Sequence, residues 1–201
     1  MNNLFDESDF ALFAQYAGRK SHDAPEGHEK LRKVYDKLGS VVAELKRRGY
    51  PARIKRNPQN QGGKYSTYHW SQIYPKDKEL FKEIEKKMFV VLGTLEKGLY
   101  LHFGLNTNKY SPAKAEAIKD KTWSEYSPQE VAQYTCEEIA DIVEEYYKEH
   151  WVQFKEFAKE LDKKRSQEIL NNMELDKIKK LLVGNHNLIL TGAPGDRKST
   201  R

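Results

Sequence analysis

The stretch MFVVLGTLEKGLYLHFGLNT, residues 88–107, constrains the fold more than any other part of the chain. Two apolar runs flank Glu96-Lys97-Gly98, each with the length of a β-strand rather than a helix. In the second run Leu99, Leu101, Phe103 and Leu105 alternate with Tyr100 and His102, so the pattern predicts an antiparallel hairpin. Upstream, YPARIKRN sets Ala52 and Ile54 against Arg53 and Lys55, and KYSTYHWSQIYP reads as another strand. Its alternation puts Tyr68, Trp70 and Tyr74 on one face and Tyr65, His69 and Ile73 on the other. The intervening NPQNQGG is predicted to be a turn or a mobile, amide-rich loop.

Helices frame these strands. Residues 4–17 predict a short apolar helix, and Leu31, Val34, Tyr35, Leu38, Val41, Val42 and Leu45 recur at helical spacing before KRRG closes the element. A short helix is predicted over 77–87 with Leu80, Phe81 and Ile84 inward. Ser127, Pro128 and Glu130 carry a capping-box start for a long helix through Ile139, Val143, Trp151 and Leu161. KKRSQE, residues 163–168, is expected to break that helix before a second amphipathic stretch containing Ile169, Met173, Ile178 and Leu182. The expectation is an α+β fold: a small antiparallel sheet of about four strands framed by helices, with a long C-terminal helical connector. Residues 1–165 read as one domain and residues 166–201 as a connector helix, a strand and a phosphate-loop motif.

Composition narrows the function. No apolar run approaches the eighteen residues of a membrane span, and MNNLFDESDF lacks the basic and apolar regions of a secretion signal. The single cysteine, Cys136, excludes an internal disulfide, and a cytoplasmic setting is expected. The six histidines show no metal-ligand spacing. No nucleophile elbow is present, and Glu85-Lys86-Lys87 lacks the upstream acid of a metal-dependent nuclease. No catalysis by this chain is expected.

Charge is unevenly distributed. From Lys30 to Lys64 there are eleven Lys or Arg against two acids, whereas from Glu125 to Glu149 there are eight acids and one Lys. The first segment fits a polyanion partner. Lys46, Arg47, Arg48, Arg53, Lys55, Arg56 and Lys64 are candidate phosphate contacts, expected to gather on one exposed surface. Interleaved with them, Tyr65, Tyr68 and Trp70 are candidates for stacking on an unstacked base. Asn57, Gln59, Asn60 and Gln61 could reach base edges in a groove. The alternative is a protein-binding regulatory domain that uses the acidic helix 125–149 as its contact surface.

The last residues, NHNLILTGAPGDRKSTR, read as the opening of a nucleotide-binding loop. Gly192 and Gly195 form the turn, and Lys198 and Ser199 stand where a lysine would reach phosphates and a hydroxyl would bind Mg2+. Arg197 takes the place of the second glycine, where a Cβ obstructs the phosphate-wrapping backbone, and two residues follow Ser199. The nucleotide site is therefore read as vestigial in this chain, the expected N-terminal part of a longer protein.

Over residues 175–195 the helix, polar turn, apolar strand and TGAPG resemble the approach to the nucleotide site in the McrB branch of AAA+ proteins, the motors of modification-dependent restriction systems. Over 1–165 the likeness is one of arrangement: a basic α+β domain, a helical connector, then a motor. The resemblance implies recognition of double-stranded DNA, with a modified base turned out of the duplex, in restriction or phage defence. It also implies GTP or ATP with Mg2+ in the full-length protein, assembly through the AAA+ domain, and a separate nuclease subunit.

Overall fold

The computed structural model describes residues 3–60, 62–79 and 87–184. The chain divides into two compact units, 1–154 and 155–201. The first unit has helices α1 (Glu7–Tyr16) and α2 (Glu26–Arg47), then strands β1 (Ala52–Ile54), β2 (Tyr68–Ile73), β3 (Met88–Leu95) and β4 (Gly98–Leu105). Helix α3 (Pro112–Thr122), strand β5 (Ser124–Tyr126), the short helix α4 (Pro128–Val131) and helix α5 (Cys136–Gly184) follow. The strands form one antiparallel sheet in the order β1-β2-β3-β4-β5, which is the expected α+β class with five strands in place of about four. The additional strand is the three-residue SEY, too short to show a period of its own. Its pairing of Leu99 with Tyr126 and Leu101 with Ser124 follows from where α3 returns the chain.

The hairpin forms as the pattern predicts. Leu95 pairs with Gly98 across Glu96-Lys97, and Gly98 has φ +124°, a conformation that disfavours any side chain. A Cβ there would also lie 2.0 Å from the Tyr126 carbonyl oxygen, so glycine is needed both for the turn and for the approach of β5.

Alternation divides the sheet into two faces. His69, Ser71 and Ile73 of β2 and Leu99, Leu101 and Phe103 of β4 are buried on the inner face. The predicted stripe of α2, from Leu31 to Leu45, is buried, and Tyr35 stacks on His69 at 3.5 Å between ring centroids. From α5, Ile139, Val143, Tyr146, Tyr147 and Phe154 are buried in the same unit. The Tyr147 hydroxyl donates to the Ile73 carbonyl at 2.6 Å, and that of Tyr146 to the Thr122 carbonyl at 2.6 Å. Buried phenols with partners anchor α5 without leaving a polar group unpaired.

Two expectations about helices need correction. Ser127 and Glu130 make the predicted capping box, but it starts only the four-residue α4. Thr135 and Glu138 make a second box, with Thr135 N donating to Glu138 Oε2 at 2.7 Å and Glu138 N to Thr135 Oγ1 at 3.2 Å, so α5 begins there. KKRSQE does not interrupt α5, which is continuous to Gly184, because the segment contains neither glycine nor proline and most of its residues are good helix formers. The helix predicted over 77–87 falls largely on residues 80–86, outside the described residues, as does the phosphate-loop motif with Gly192, Gly195, Lys198 and Ser199. In the second unit residues 155–184 are helical, with Met173, Leu175 and Ile178 exposed. No described helix is long and apolar enough to cross a membrane.

Candidate nucleic-acid interface

Helix α2 buries one stripe and leaves another outside. His28, Arg32, Asp36, Gly39, Ala43 and Lys46 follow each other at intervals of three or four, so they share a helix face. This face and the connection after β1 enclose a groove of about 870 Å3. Its lining includes Arg32, Lys46, Lys55, Arg56, Asn57 and Gln59, with Asp36 as the only acid among the described residues. Asp36 sits 4.0 Å from Arg32, and both side chains are exposed. Gly39, Ser40 and Ala43 keep the helix wall shallow between the cations.

Of the turn and the mobile loop that its composition allows, the connection forms the turn. Asn57 Oδ1 accepts from Gln59 N at 2.9 Å, while Asn60 Oδ1 accepts from Gly62 N and Lys64 N at 3.0 and 3.1 Å. Ser66 N donates to the Pro58 carbonyl at 2.9 Å, and Asn60 N to that of Lys64 at 2.8 Å. The asparagines thus staple the backbone of the turn.

The seven predicted cations do not share one surface. Lys46 and Arg56 are exposed in the basic groove, where Lys55 is half-buried and donates to the Ser66 hydroxyl. Burial pushes the Lys55 ammonium below its ordinary pKa. Arg47 is exposed but holds Glu44 through both of its carboxylate oxygens at 2.7 Å. Arg48 turns toward α5, where it meets Asp141, Glu144 at 3.1 Å and the Glu137 carbonyl, besides Glu44 at 2.8 Å. Arg47 and then Arg48 pull the Glu44 carboxyl down to about 2. Arg47 and Arg48 are thus neutralised by acids of α2 and α5. Lys64 is exposed in the stapled turn. Arg53 is exposed on β1 opposite Gln72, which places it on the outer face of the sheet.

The predicted aromatics divide as well. Tyr65 is a core residue: it is buried, its hydroxyl donates to the Ala24 carbonyl at 2.9 Å, and its ring meets Tyr16 edge-on. It presents no ring face for stacking. Tyr68 and Trp70 do lie on the outer face, Tyr68 with 48% of its surface exposed. They line a second groove of about 710 Å3 with Tyr100, His102 and Trp123, which sequence reasoning did not assign to a site.

Three of these rings lie nearly parallel. Trp123 stacks on Tyr100 at 4.8 Å and 8°, and on His102 at 5.4 Å and 15°. Tyr100 lies flat because β3 offers Gly93 beneath it, and its hydroxyl reaches the His69 carbonyl at 3.3 Å. A Cβ on Gly93 would sit 2.4 Å from the Tyr100 ring and 2.5 Å from that carbonyl oxygen. Gly93→Ala is therefore expected to cost about 1–3 kcal/mol, read by urea denaturation, and to displace Tyr100 from the sheet. A neutral effect would show that Tyr100 does not need this seat. Comparison with family models, with curated proteins and with solved structures finds no match to the chain.

Proposed function

We propose that the first unit is a DNA-recognition domain that seats a duplex backbone in the groove between α2 and the 55–59 connection. It would serve as the specificity part of a restriction-type AAA+ protein and carry no catalysis of its own. The observation that carries the DNA reading is the convergence of four cations, two from α2 and two from the connection after β1, around one acid among the described residues. Phosphates need such a concentration of donors, and the shallow wall at Gly39, Ser40 and Ala43 leaves room for a sugar–phosphate strand. Asn57 and Gln59 stand at the same rim, where amide groups can meet base edges. The motor assignment rests on the resemblance of residues 175–195 alone. The protein-contact alternative is weakened by Asp141 and Glu144, two acids of its surface that are already committed to Arg48.

Binding to duplex DNA as a function of salt tests the proposal. Lys46→Ala and Arg56→Ala are each expected to weaken binding on all sequences and to reduce the salt slope by about 1. Arg47→Ala is the control, and its slope is expected to stay unchanged because Glu44 already occupies that guanidinium. A double Lys46→Ala/Arg56→Ala variant with the parent slope would remove the groove from consideration. Duplexes with methylated and unmodified bases then test the modification dependence that the resemblance implies.

A further inference from the structure

The basic groove leaves the ring-lined outer face of the sheet unused. Of the described helices, only α3 flanks this face, contributing Ala115, Glu116 and Lys119 to the wall beside β4. The charges here balance, with Glu96 and Glu116 against Lys97 and Lys119, and Lys119 is itself paired with Glu116. Such a surface does not select phosphate. It offers the exposed ring of Tyr68 and the half-buried rings of Trp70 and Trp123, which pack on the buried Tyr100.

We propose that this outer face binds the bases of an unpaired nucleic-acid strand, one on the Tyr68–Trp70 side and one on the Trp123 side. The inference rests on the DNA-binding reading for the class of ligand. A base inside a duplex has both faces stacked and its pairing edge covered, so it cannot lie down on a sheet. An unpaired base can, and stacking of successive bases on aromatic residues of an open sheet is a general solution for single strands. The two ring groups stand on β2 and β4 with β3 between them, about 9.5 Å apart by the ordinary strand spacing. That separation suits two rings resting side by side rather than one clamped in a slot. Gly93 and Gly104 let the rings of Tyr100 and Phe89 settle against the sheet, so the floor is flat. Lys97 of the hairpin turn stands at the rim of this face. The face is also continuous with the basic groove through a single segment. Lys55 and Arg56 line that groove, Thr67 and Tyr68 line this one, and Lys55 N bonds the Trp70 carbonyl at 3.2 Å.

The test compares a short oligothymidine with an abasic oligonucleotide of the same length and charge, followed by tryptophan fluorescence and by direct titration. Oligothymidine is expected to bind more tightly and to quench fluorescence, whereas the abasic strand leaves fluorescence unchanged. Tyr68→Ala and Trp70→Ala are each expected to weaken oligothymidine roughly 5- to 150-fold and to leave the abasic strand unaffected. Trp70→Phe, which keeps a ring, is expected to recover most of that loss. Tyr68 is exposed enough that its removal leaves the fold intact. Equal affinity for the two strands, or parent affinity in Tyr68→Ala and Trp70→Ala together, would overturn the proposal. So would displacement of oligothymidine by an uncharged proline-rich peptide at lower concentration than by thymidine nucleotides, which would make this a peptide groove. Lys46→Ala/Arg56→Ala separates the two readings: it is expected to lose duplex binding while keeping the preference for oligothymidine over the abasic strand. If no variant or parent binds duplex yet that preference persists, the basic-groove reading fails and the outer face stands alone.

Discussion

Phe103→Ala is expected to remove about 3–5 kcal/mol of folding stability, the largest loss among the substitutions considered. Phe103 is fully buried on the inner face of β4, between His102 and Gly104, which face outward. Its ring meets Phe154 at 5.0 Å, Tyr146 at 5.8 Å and His150 at 6.0 Å, all three nearly edge-to-face. Edge-to-face contact puts positive ring edges on negative faces, so truncation removes directed contacts as well as buried area. The surrounding rings are held by Tyr146 to Thr122 and by Tyr147 to Ile73, which limits their collapse into the space left behind. Against a typical total of about 5–15 kcal/mol, the loss is roughly a fifth or more. The urea midpoint would fall on the order of 2 M. Because Phe103 lies beneath the ring-lined face rather than on it, the variant would also report whether α5 supports that face. A midpoint shift below about 0.5 M would mean that the rings of α5 do not hold the sheet.

The inner half of this architecture is legible because burial imposes a period. Leu31 through Leu45 and Leu99 through Leu105 each write one face of an element into the sequence, and the structure buries them as written. What pattern cannot supply is pairing between distant segments. Glu44 lies within the basic segment and Asp141 within the acidic one, and nothing local says that Arg48 will meet both. Counting charges therefore predicted one basic surface where the fold makes a groove, a neutralised corner and, with Arg53, a cation on the outer face of the sheet. The opposite charge runs meet at that corner, through Arg48 with Asp141 and Glu144, and not in the groove.

The aromatic residues show the same limit. Alternation placed Tyr68 and Trp70 on one side of β2 and His69 on the other, and the structure agrees. Tyr65 lies before the strand, where its ring turns into the contact of α1 with α2 and no period applies. Tyr100, His102 and Trp123 come together because Gly93 lies opposite Tyr100 and because α3 returns Trp123 over it. The glycines within the hairpin run, Gly93 and Gly104, were the available signal: in a strand, glycine marks a close approach, and here the approaching groups are rings.

Lowering the pH from 7.5 to 5 is expected to cost about 2 kcal/mol through His69 alone. His69 is fully buried and stacked on Tyr35, and burial, opposed by the hydrogen bond to the Lys55 carbonyl, pushes its imidazole down to about 4. Nε2 lies 2.6 Å from that carbonyl, which can only accept, so Nε2 carries the proton and Nδ1 is the unprotonated nitrogen. Nδ1 is buried with no hydrogen bond among the described residues, and so is the hydroxyl of Thr94, its register partner on β3. Protonation would add a charge in the core beside the half-buried Lys55 ammonium. The unfolded chain binds this proton near pH 6.5 and the folded chain only near 4. Between those values the unfolded state holds more protons, so stability is complete above 6.5 and falls as pH drops toward 4. His102, also depressed by burial, acts in the same direction. The carboxylates held low, Glu44, Glu130, Glu138 and Glu144, contribute their losses only below about 4.5 and do not confuse the window. Urea denaturation at pH 7.5, 6 and 5 would read the slope, and His69→Phe is expected to flatten it while keeping a ring on Tyr35. A slope unchanged by that substitution would assign the acid sensitivity to other groups and leave His69 as a packing residue only.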